Sequence, residues 1–287
     1  MKQIISTLAP DKHGEPAARF GAFVFCMISL LTHVSFAQPT TKPLTWPEGK
    51  RLAISLTFDD GRDSQVKGGT ALLDEYGVKA TFFVVPSAVE RNLAGWKKAV
   101  AAGHEIGNHS LNHPCSGNFL WSRDKALEDY NLDKMRSELA EANKKIENLL
   151  GIDVNVFAYP CGQTFVGRGA NTKSYVPLVA EMFLLGRTWM DEAANDPTFC
   201  DFAQLTGVEM DGKDFKDILP LIESAAENHQ WLVLAGHEMN DDGAQTTRLS
   251  RLKELLEYAK DPSHGIWIAP AGDVAEYVRK ARVEGLR

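Results

Sequence analysis

The sequence lacks the common cysteine-based metal motifs and the common phosphate-binding motifs. Its 287 residues include 4 cysteines, none of them in a Cys-X-X-Cys pair, so a structural zinc site made of cysteines is not indicated. There is no GxGxxG turn after the first apolar run and no P-loop. The net charge is −7, and Lys and Arg form no basic stripe. The charge pattern therefore disfavours nucleic acids and anionic membrane surfaces as partners.

The N-terminal residues have the pattern of an export signal. Arg19 precedes the apolar run 20–31, which is too short to span a bilayer, and Ser35-Phe36-Ala37 has the small-x-small form of a signal-peptidase site. We expect residues 1–37 to be a signal peptide cleaved after Ala37, so that the mature protein is secreted or periplasmic and has no membrane anchor. The alternatives are an uncleaved anchor or a buried helix. Residues 38–50, with three prolines, are expected to be a linker to a single domain over residues 51–287.

Short apolar runs alternate with amphipathic stretches along this domain. The clearest helical pattern covers residues 127–150, and Gly151 follows it as a stop signal. Alternating strands and helices favour an α/β fold with a parallel sheet, either a closed or nearly closed (β/α) barrel or, as the alternative, a doubly wound open sheet. The predicted strands are 52–58, 80–85, 105–108, 154–158, 182–185, 204–208, 231–235 and 265–268.

Carboxylates and imidazoles follow two of the predicted strands. Asp59 and Asp60 come directly after the first strand, where two adjacent carboxylates are costly to bury. His109 and His113 follow the third strand, and their four-residue spacing lets them face the same way if the segment turns helically. One carboxylate and two neutral imidazoles form a catalytic type of site for zinc or a similar divalent ion. The second aspartate is then free for another task.

A third imidazole, His237, ends the apolar run 231–236, and its ordinary pKa suits proton transfer. Each of these features has a structural alternative. Adjacent aspartates are often turn or cap residues, paired histidines often lie on a helix surface, and a lone histidine is often a hydrogen-bonded part of the core. Because all three features follow buried-strand patterns in one domain, their coincidence favours a metal site.

Four segments in chain order resemble a known motif series. They are "TFDDG" at 57–61, "HSLNH" at 109–113, "FAYPCG" at 157–162 and "LVLAGH" at 232–237. The series is similar to that of the polysaccharide deacetylases, the family 4 carbohydrate esterases with a NodB-homology domain, and the resemblance spans residues 52–275. It implies a distorted (β/α) barrel of about seven strands. It also implies metal-dependent hydrolysis of an acetyl group on a sugar, with Zn²⁺ expected first and Co²⁺, Ni²⁺ or Mn²⁺ as alternatives.

The resemblance also implies roles for individual residues. Asp59 would be the catalytic base and His237 the catalytic acid, and the backbone N–H of Cys161 would stabilise the oxyanion. The metal ligands would be Asp60, His109 and His113.

The third motif departs from the family pattern. Many members have an arginine two residues before the proline, paired with the catalytic aspartate, where this chain has Ala158. Loss of that cation would raise the pKa of Asp59 unless another arginine replaces it. The candidates are Arg62, Arg168 and Arg187, and we expect Arg168, because it lies in the glycine-rich segment 162–169 that would cover the site.

The cysteines and aromatic residues near these motifs suggest two further features. We expect a disulfide between Cys115 and Cys161, or between one of them and Cys200, with a nucleophilic cysteine as the alternative. The candidates for stacking on a sugar, which are more often core residues, are Trp121, Phe165, Tyr175 and Trp189.

The leading functional prediction is an exported enzyme that removes acetyl groups, with N-acetyl expected first, from a carbohydrate such as chitooligosaccharide or peptidoglycan. The alternatives are an O-acetyl (xylan) esterase or small-molecule amidase, and a carbohydrate-binding pseudoenzyme.

Overall fold

The computed structural model describes residues 44–285. The predicted signal peptide and residues 38–43 of the predicted linker lie outside the described residues. Leu44 and Trp46, which the sequence analysis assigned to the linker, are buried against the domain, and the Trp46 Nε1–H donates a hydrogen bond to the His229 carbonyl at 3.1 Å. Packing of the domain therefore begins no later than Leu44. Among the helices of residues 44–285, none combines the length and hydrophobicity needed to cross a bilayer.

Strands and helices alternate along the described chain. The strands are β1 (Leu52–Phe58), β2 (Thr81–Val84), β3 (Glu105–Asn108), β4 (Val156–Ala158), β5 (Phe165–Val166), β6 (Lys173–Ser174), β7 (Leu185–Arg187), β8 (Val208–Glu209), β9 (Trp231–Gly236) and β10 (Ile266–Ile268). The α-helices are α1 (Thr70–Glu75), α2 (Pro86–Arg91), α3 (Leu93–Ala101), α4 (Leu132–Leu150), α5 (Val176–Met182), α6 (Phe215–Glu227), α7 (Leu249–Lys260) and α8 (Ala271–Glu284).

Eight of the strands form one parallel sheet. Seven of them lie in the order β7-β4-β3-β2-β1-β9-β8, and β10 pairs with the first half of β1. Strands β5 and β6 form a small antiparallel pair of their own. The segment 205–210, which includes the edge strand β8, contacts both sides of the sheet: Leu205 N–H donates to Gly186 O in β7, and Met210 N–H donates to Ala235 O in β9. The prediction of a distorted (β/α) barrel with about seven strands is confirmed.

Continuous apolar runs explain why the central strands form. Every residue of β1 is buried, as expected for a parallel strand covered on both faces. Strand β1 pairs with β9 in register from Ala53 with Trp231 to Phe58 with Gly236. The two strands therefore end at the same level, and the residues that follow them begin side by side.

Several element boundaries differ from the sequence-based prediction, and two of the differences involve helices. Helix α4 begins at Leu132 instead of residue 127, because the Asn131 side chain accepts a hydrogen bond from the Lys134 N–H and caps the helix there. Helix α5 continues through Met182, where a strand was predicted, so β7 occupies residues 185–187. This shift places Arg187 at the carboxyl end of a strand, where side chains face the mouth of the barrel.

Candidate active site

A cavity of about 660 Å³ lies at the carboxyl ends of the strands. Six of the residues predicted from the sequence line it, namely Asp59, Asp60, His109, His113, Cys161 and His237. Register explains the first contact, since Phe58 pairs with Gly236 and the Asp59 N–H donates to Gly236 O at 2.9 Å, which brings Asp59 beside His237.

Asp60, His109 and His113 have the arrangement of a metal-binding triad. Oδ1 of Asp60 lies 3.5 Å from Nε2 of His109 and 3.3 Å from Nε2 of His113. On its other side, His109 Nδ1 lies 2.9 Å from the Ala158 carbonyl oxygen, which can only accept a hydrogen bond. That contact places the His109 proton on Nδ1 and leaves Nε2 as a lone-pair donor directed at the triad. The three side chains therefore fit a divalent cation, with one oxygen and two nitrogen ligands.

Electrostatics favour the cation-binding forms of Asp60 and His113. Burial would raise the pKa of Asp60, but the two imidazoles of His109 and His113 beside it outweigh burial and hold that pKa far below its usual range. Burial lowers the pKa of His113, which favours the neutral imidazole. The second oxygen of Asp60 accepts hydrogen bonds from Arg62 at 2.8 and 3.0 Å, which orients the carboxylate. An ionised carboxylate and neutral imidazoles are the forms in which these groups ligate metals.

The cation beside Asp59 is Arg187, so the expectation that Arg168 takes this place is wrong. Arg187 and Asp59 form a salt bridge and are 1% and 3% exposed. Arg168 is mostly exposed and pairs with Asp129 at 2.8 Å. Arg187 is the register partner of Ala158 across the β4–β7 pair, so the arginine absent from β4 is supplied at the same level by the neighbouring strand.

This ion pair determines the protonation state of Asp59. Burial alone would raise the pKa of the Asp59 carboxyl, but the charge of Arg187, helped by His109 and His237, outweighs burial and holds the pKa below its usual value. The Arg187 guanidinium also donates to the Thr188 carbonyl at 3.0 Å and lies 5.1 Å from the centre of the Phe83 ring. Asp59 is thus a buried, ionised acceptor, as a general base requires.

His237 is held by an aspartate that the sequence analysis did not identify. His237 Nδ1 lies 2.7 Å from Oδ2 of Asp211, and the other carboxylate oxygen accepts a hydrogen bond from Thr247 at 2.8 Å. Burial would lower the pKa of His237, but the hydrogen bond to Asp211 and the charges of Asp59 and Asp60 outweigh it and raise that pKa. Asp211 directly follows Met210 at the end of the segment beside β9, so the rule that functional groups follow strands could have found it.

Two buried side chains fix the backbone of the site and were also missed. The Gln65 side-chain amide donates to the carbonyl of Asp59 at 2.7 Å and to that of His237 at 2.8 Å, which ties the ends of β1 and β9 together. Glu138 of α4 accepts hydrogen bonds from the backbone and side chain of Asn112 at 2.6 and 2.9 Å, which holds the loop carrying the two histidines. Neither residue follows a strand, so no local pattern marks it.

Left-handed backbone conformations cluster at this cavity. Asp60, His113, Cys161, Met190 and Gln245 all have φ between 48° and 70° and all line the cavity. This conformation is unfavourable for residues with a Cβ and costs on the order of 1–3 kcal/mol each, so it persists only where surrounding contacts enforce it.

One of those contacts is a disulfide between Cys115 and Cys161, which joins the loops after β3 and β4. This is the first of the pairings expected from the sequence. Since both sulfurs are bonded to each other, neither offers a thiolate, and burial raises the pKa of the remaining described thiol, Cys200. A nucleophilic cysteine therefore has no support in this structure.

The chain is similar to characterised carbohydrate-active proteins over part of its length. The family model described as polysaccharide deacetylase matches residues 47–174. The peptidoglycan-N-acetylglucosamine deacetylase of Bacillus cereus is 40% identical over 93 residues, 31% of this chain and 42% of that protein. The gellan lyase of a Bacillus species is 26% identical over 254 residues, 81% of this chain and 10% of that protein. The chain thus spans less than half the length of either relative.

A solved structure with the same fold comes from Mycobacterium smegmatis and is assigned to the polysaccharide deacetylases. The TM-score is 0.61 with 20% sequence identity, and the match covers 84% of this chain and 95% of that one. At this identity the likeness concerns the fold.

The two arginine pairs should differ sharply in their effect on stability. We expect Arg187→Met to lower the free energy of unfolding by about 3–5 kcal/mol, because it leaves the buried Asp59 carboxylate without its partner. Arg168→Ala, the matched control, removes an exposed pair and should leave the free energy of unfolding nearly unchanged. Urea unfolding at pH 7 measures both. Equal effects of the two substitutions would contradict the assignment of Arg187 as the buried partner.

Proposed function

Because this chain belongs to the polysaccharide deacetylase family through residues 47–174, we propose that it is a metal-dependent hydrolase that removes acetyl groups from a carbohydrate. The observation that carries the proposal is that the cavity brings together side chains suited to different chemical roles. A cation-binding triad lies beside an ionised aspartate and a histidine of raised pKa. Groups whose environments push their pKa values in opposite directions are typical of a base and an acid acting in one reaction.

The side chains would act as follows. A divalent ion, for which Zn²⁺ is the first candidate, would be held by Asp60, His109 and His113 and would acidify a water and polarise a carbonyl. Asp59, kept ionised by Arg187, accepts the proton of the attacking water. The backbone N–H of Cys161, held at the cavity by the disulfide, is suited to stabilise the developing oxyanion. Protonated His237 then gives its proton to the leaving atom.

Nitrogen is the better-supported leaving atom. An amine is a poor leaving group unless it is protonated, and the hydrogen bond from His237 to Asp211 favours the protonated imidazole that would supply the proton. An N-acetyl sugar, as in chitooligosaccharide or peptidoglycan, is therefore preferred over an O-acetyl ester of xylan. The name of the Bacillus cereus relative, a peptidoglycan-N-acetylglucosamine deacetylase, supports the same choice. Pure carbohydrate binding would not require the acid–base pair, so a pseudoenzyme is disfavoured.

The proposal includes export to the cell surface or periplasm. Arg19, the apolar run 20–31 and the small-x-small site at Ala37 support it, and acetylated glycans of a cell wall would then be accessible. The disulfide is consistent with an oxidising compartment.

The direct test is acetate release from N-acetyl chitotetraose, peptidoglycan fragments and acetylxylan. We expect release from at least one N-acetylated substrate, more slowly from acetylxylan, and loss of all release after treatment with a chelator, with recovery on adding Zn²⁺. Release that survives complete removal of metal would contradict the metal-dependent mechanism. Release from acetylxylan alone would favour the esterase alternative.

Two substitutions should separate catalysis from metal binding. Asp59→Asn should lower kcat by at least about 100-fold, because it removes the general base, and should leave bound zinc unchanged. His113→Ala should lose most of the bound zinc together with the activity, because it removes a ligand. Metal content after dialysis, measured by atomic emission, and initial rates check the two effects. Near-normal turnover by Asp59→Asn would show that another group is the base.

The pH profile should depend on Asp211. Activity requires protonated His237, so the rate falls as the pH rises through the pKa of that histidine. Asp211→Asn removes a charge that raises this pKa, and we expect the alkaline limb of kcat/KM to move toward lower pH. Asp129→Asn, at the exposed pair with Arg168, is the control and should leave the profile unchanged. An alkaline limb that stays in place would exclude His237 as the titrating acid.

A further inference from the structure

Large apolar side chains protrude from the loop between β3 and α4. Phe119, Leu120 and Trp121 are 43%, 73% and 53% exposed. Three consecutive exposed residues of this kind weaken solubility and contribute little to folding, so the patch indicates contact with a ligand or partner. Of the four aromatic residues named as stacking candidates, Tyr175 is fully buried, whereas Trp121 lies in this patch.

The loop that carries these side chains is rigidly held. Glu128 accepts hydrogen bonds from the Ser116 hydroxyl at 2.7 Å and the Gly117 N–H at 2.9 Å. Ser122 exchanges hydrogen bonds of 2.9 Å with the backbone of Cys115, which is itself anchored by the disulfide. The exposed rings are therefore presented by an ordered scaffold, which lowers the entropy cost of binding.

Two of the three side chains face the cavity. Phe119 and Trp121 line it together with the triad, whereas Leu120 does not. The Trp121 ring centre is 5.7 Å from that of His113, and the Phe119 ring centre is 5.6 Å from that of Trp121, with 33° between their planes. The two rings thus form a tilted apolar wall that extends outward from the triad.

The residues that line the cavity indicate which kind of ligand would pack against Phe119 and Trp121. Charged side chains such as Asp59 and Asp60 line the cavity together with the apolar side chains of Phe119, Trp121, Trp189 and Met190. A pyranose ring fits such a surface, because its C–H faces stack on aromatic rings while its hydroxyl groups remain free for polar partners. A protein partner would cover Leu120, the most exposed of the three, as readily as the rings that face the cavity.

We propose that Trp121 and Phe119 form a stacking platform for the sugar unit next to the acetylated one, so that the enzyme selects oligosaccharides over isolated acetyl compounds. This inference rests on the proposed function. Because the platform begins beside His113 and extends away from the triad, it contacts a neighbouring unit of the chain instead of the acetyl group. Trp121 and Phe119 are then specificity-determining residues.

The test compares substrates with and without neighbouring sugar units. We expect Trp121→Ala to lower kcat/KM for N-acetyl chitotetraose by about three- to ten-fold, mainly through KM, and to cause a smaller loss with ethyl acetate, a small ester that has no ring to stack. Phe119→Ala should have a smaller effect of the same kind, and Trp121→Phe should restore part of the loss. Leu120→Ala, which removes a more exposed apolar side chain of the same loop outside the cavity, is the matched control and should behave as wild type.

A binding measurement tests the platform independently of catalysis. In an Asp59→Asn background, calorimetric titration with N-acetyl chitotetraose should give a Kd raised about three- to ten-fold by Trp121→Ala and unchanged by Leu120→Ala. If the wild type releases no acetate but this difference in Kd is found, the proposed reaction fails and the platform stands. Equal Kd values for the two variants, equal losses on the small ester and the tetrasaccharide, or no binding of the tetrasaccharide, would overturn the platform.

Discussion

The salt bridge between Asp59 and Arg187 is the interaction on which the site depends. Strands β1 and β7 are separated by β2, β3 and β4 in the sheet, and four strand spacings would place their ends about 19 Å apart if the sheet were flat. The two side chains meet only because the sheet curls into a barrel. Burying either charge alone is strongly unfavourable. Each charge therefore has its partner in the interior only when the sheet is curled.

The two adjacent aspartates illustrate how one short segment can supply two different chemical groups. Asp59 faces the interior and meets an arginine, whereas Asp60, in a left-handed conformation with φ of 70°, turns toward the histidines. The turn in the backbone separates the two carboxylates, so each is stabilised by its own cationic or hydrogen-bonding partners. The Gln65 side-chain amide donates a hydrogen bond to the Asp59 carbonyl and so fixes the peptide between the two aspartates. Their adjacency in sequence therefore does not amount to a repulsive pair.

Local patterns were sufficient to predict much of this molecule. The runs that form β1 and β3 were predicted with their observed bounds, because buried strands and the residues that end them leave a signal in neighbouring positions. Asp60, His109 and His113 could be grouped because each follows such a run. Arg187 could not be placed in the same way. Its role depends on the β4–β7 register and on α5 continuing through Met182, so that β7 ends at Arg187. Arg168 was expected because it lies in the glycine-rich segment 162–169, but a position in a loop near the site is a weak guide when the partner lies on another strand.

The same limitation explains why the supporting residues were missed. Gln65 and Glu138 act through hydrogen bonds to residues 172 and 26 positions away, respectively, so nothing in their own neighbourhoods reveals the contact. Asp211 follows a strand segment, but its partner His237 lies 26 positions away, so its position alone does not identify the contact. The reverse holds for Phe119 and Trp121. Their apolar character is visible in the sequence and ordinarily indicates burial. In the structure, the hydrogen bonds of Ser116, Gly117 and Ser122 fix the loop backbone in a conformation that leaves the two rings exposed. Burial is therefore decided by where the backbone is anchored. At this cavity the anchors hold the charged groups inside and the aromatic rings at the rim, which is the distribution that a polar ring with apolar faces requires.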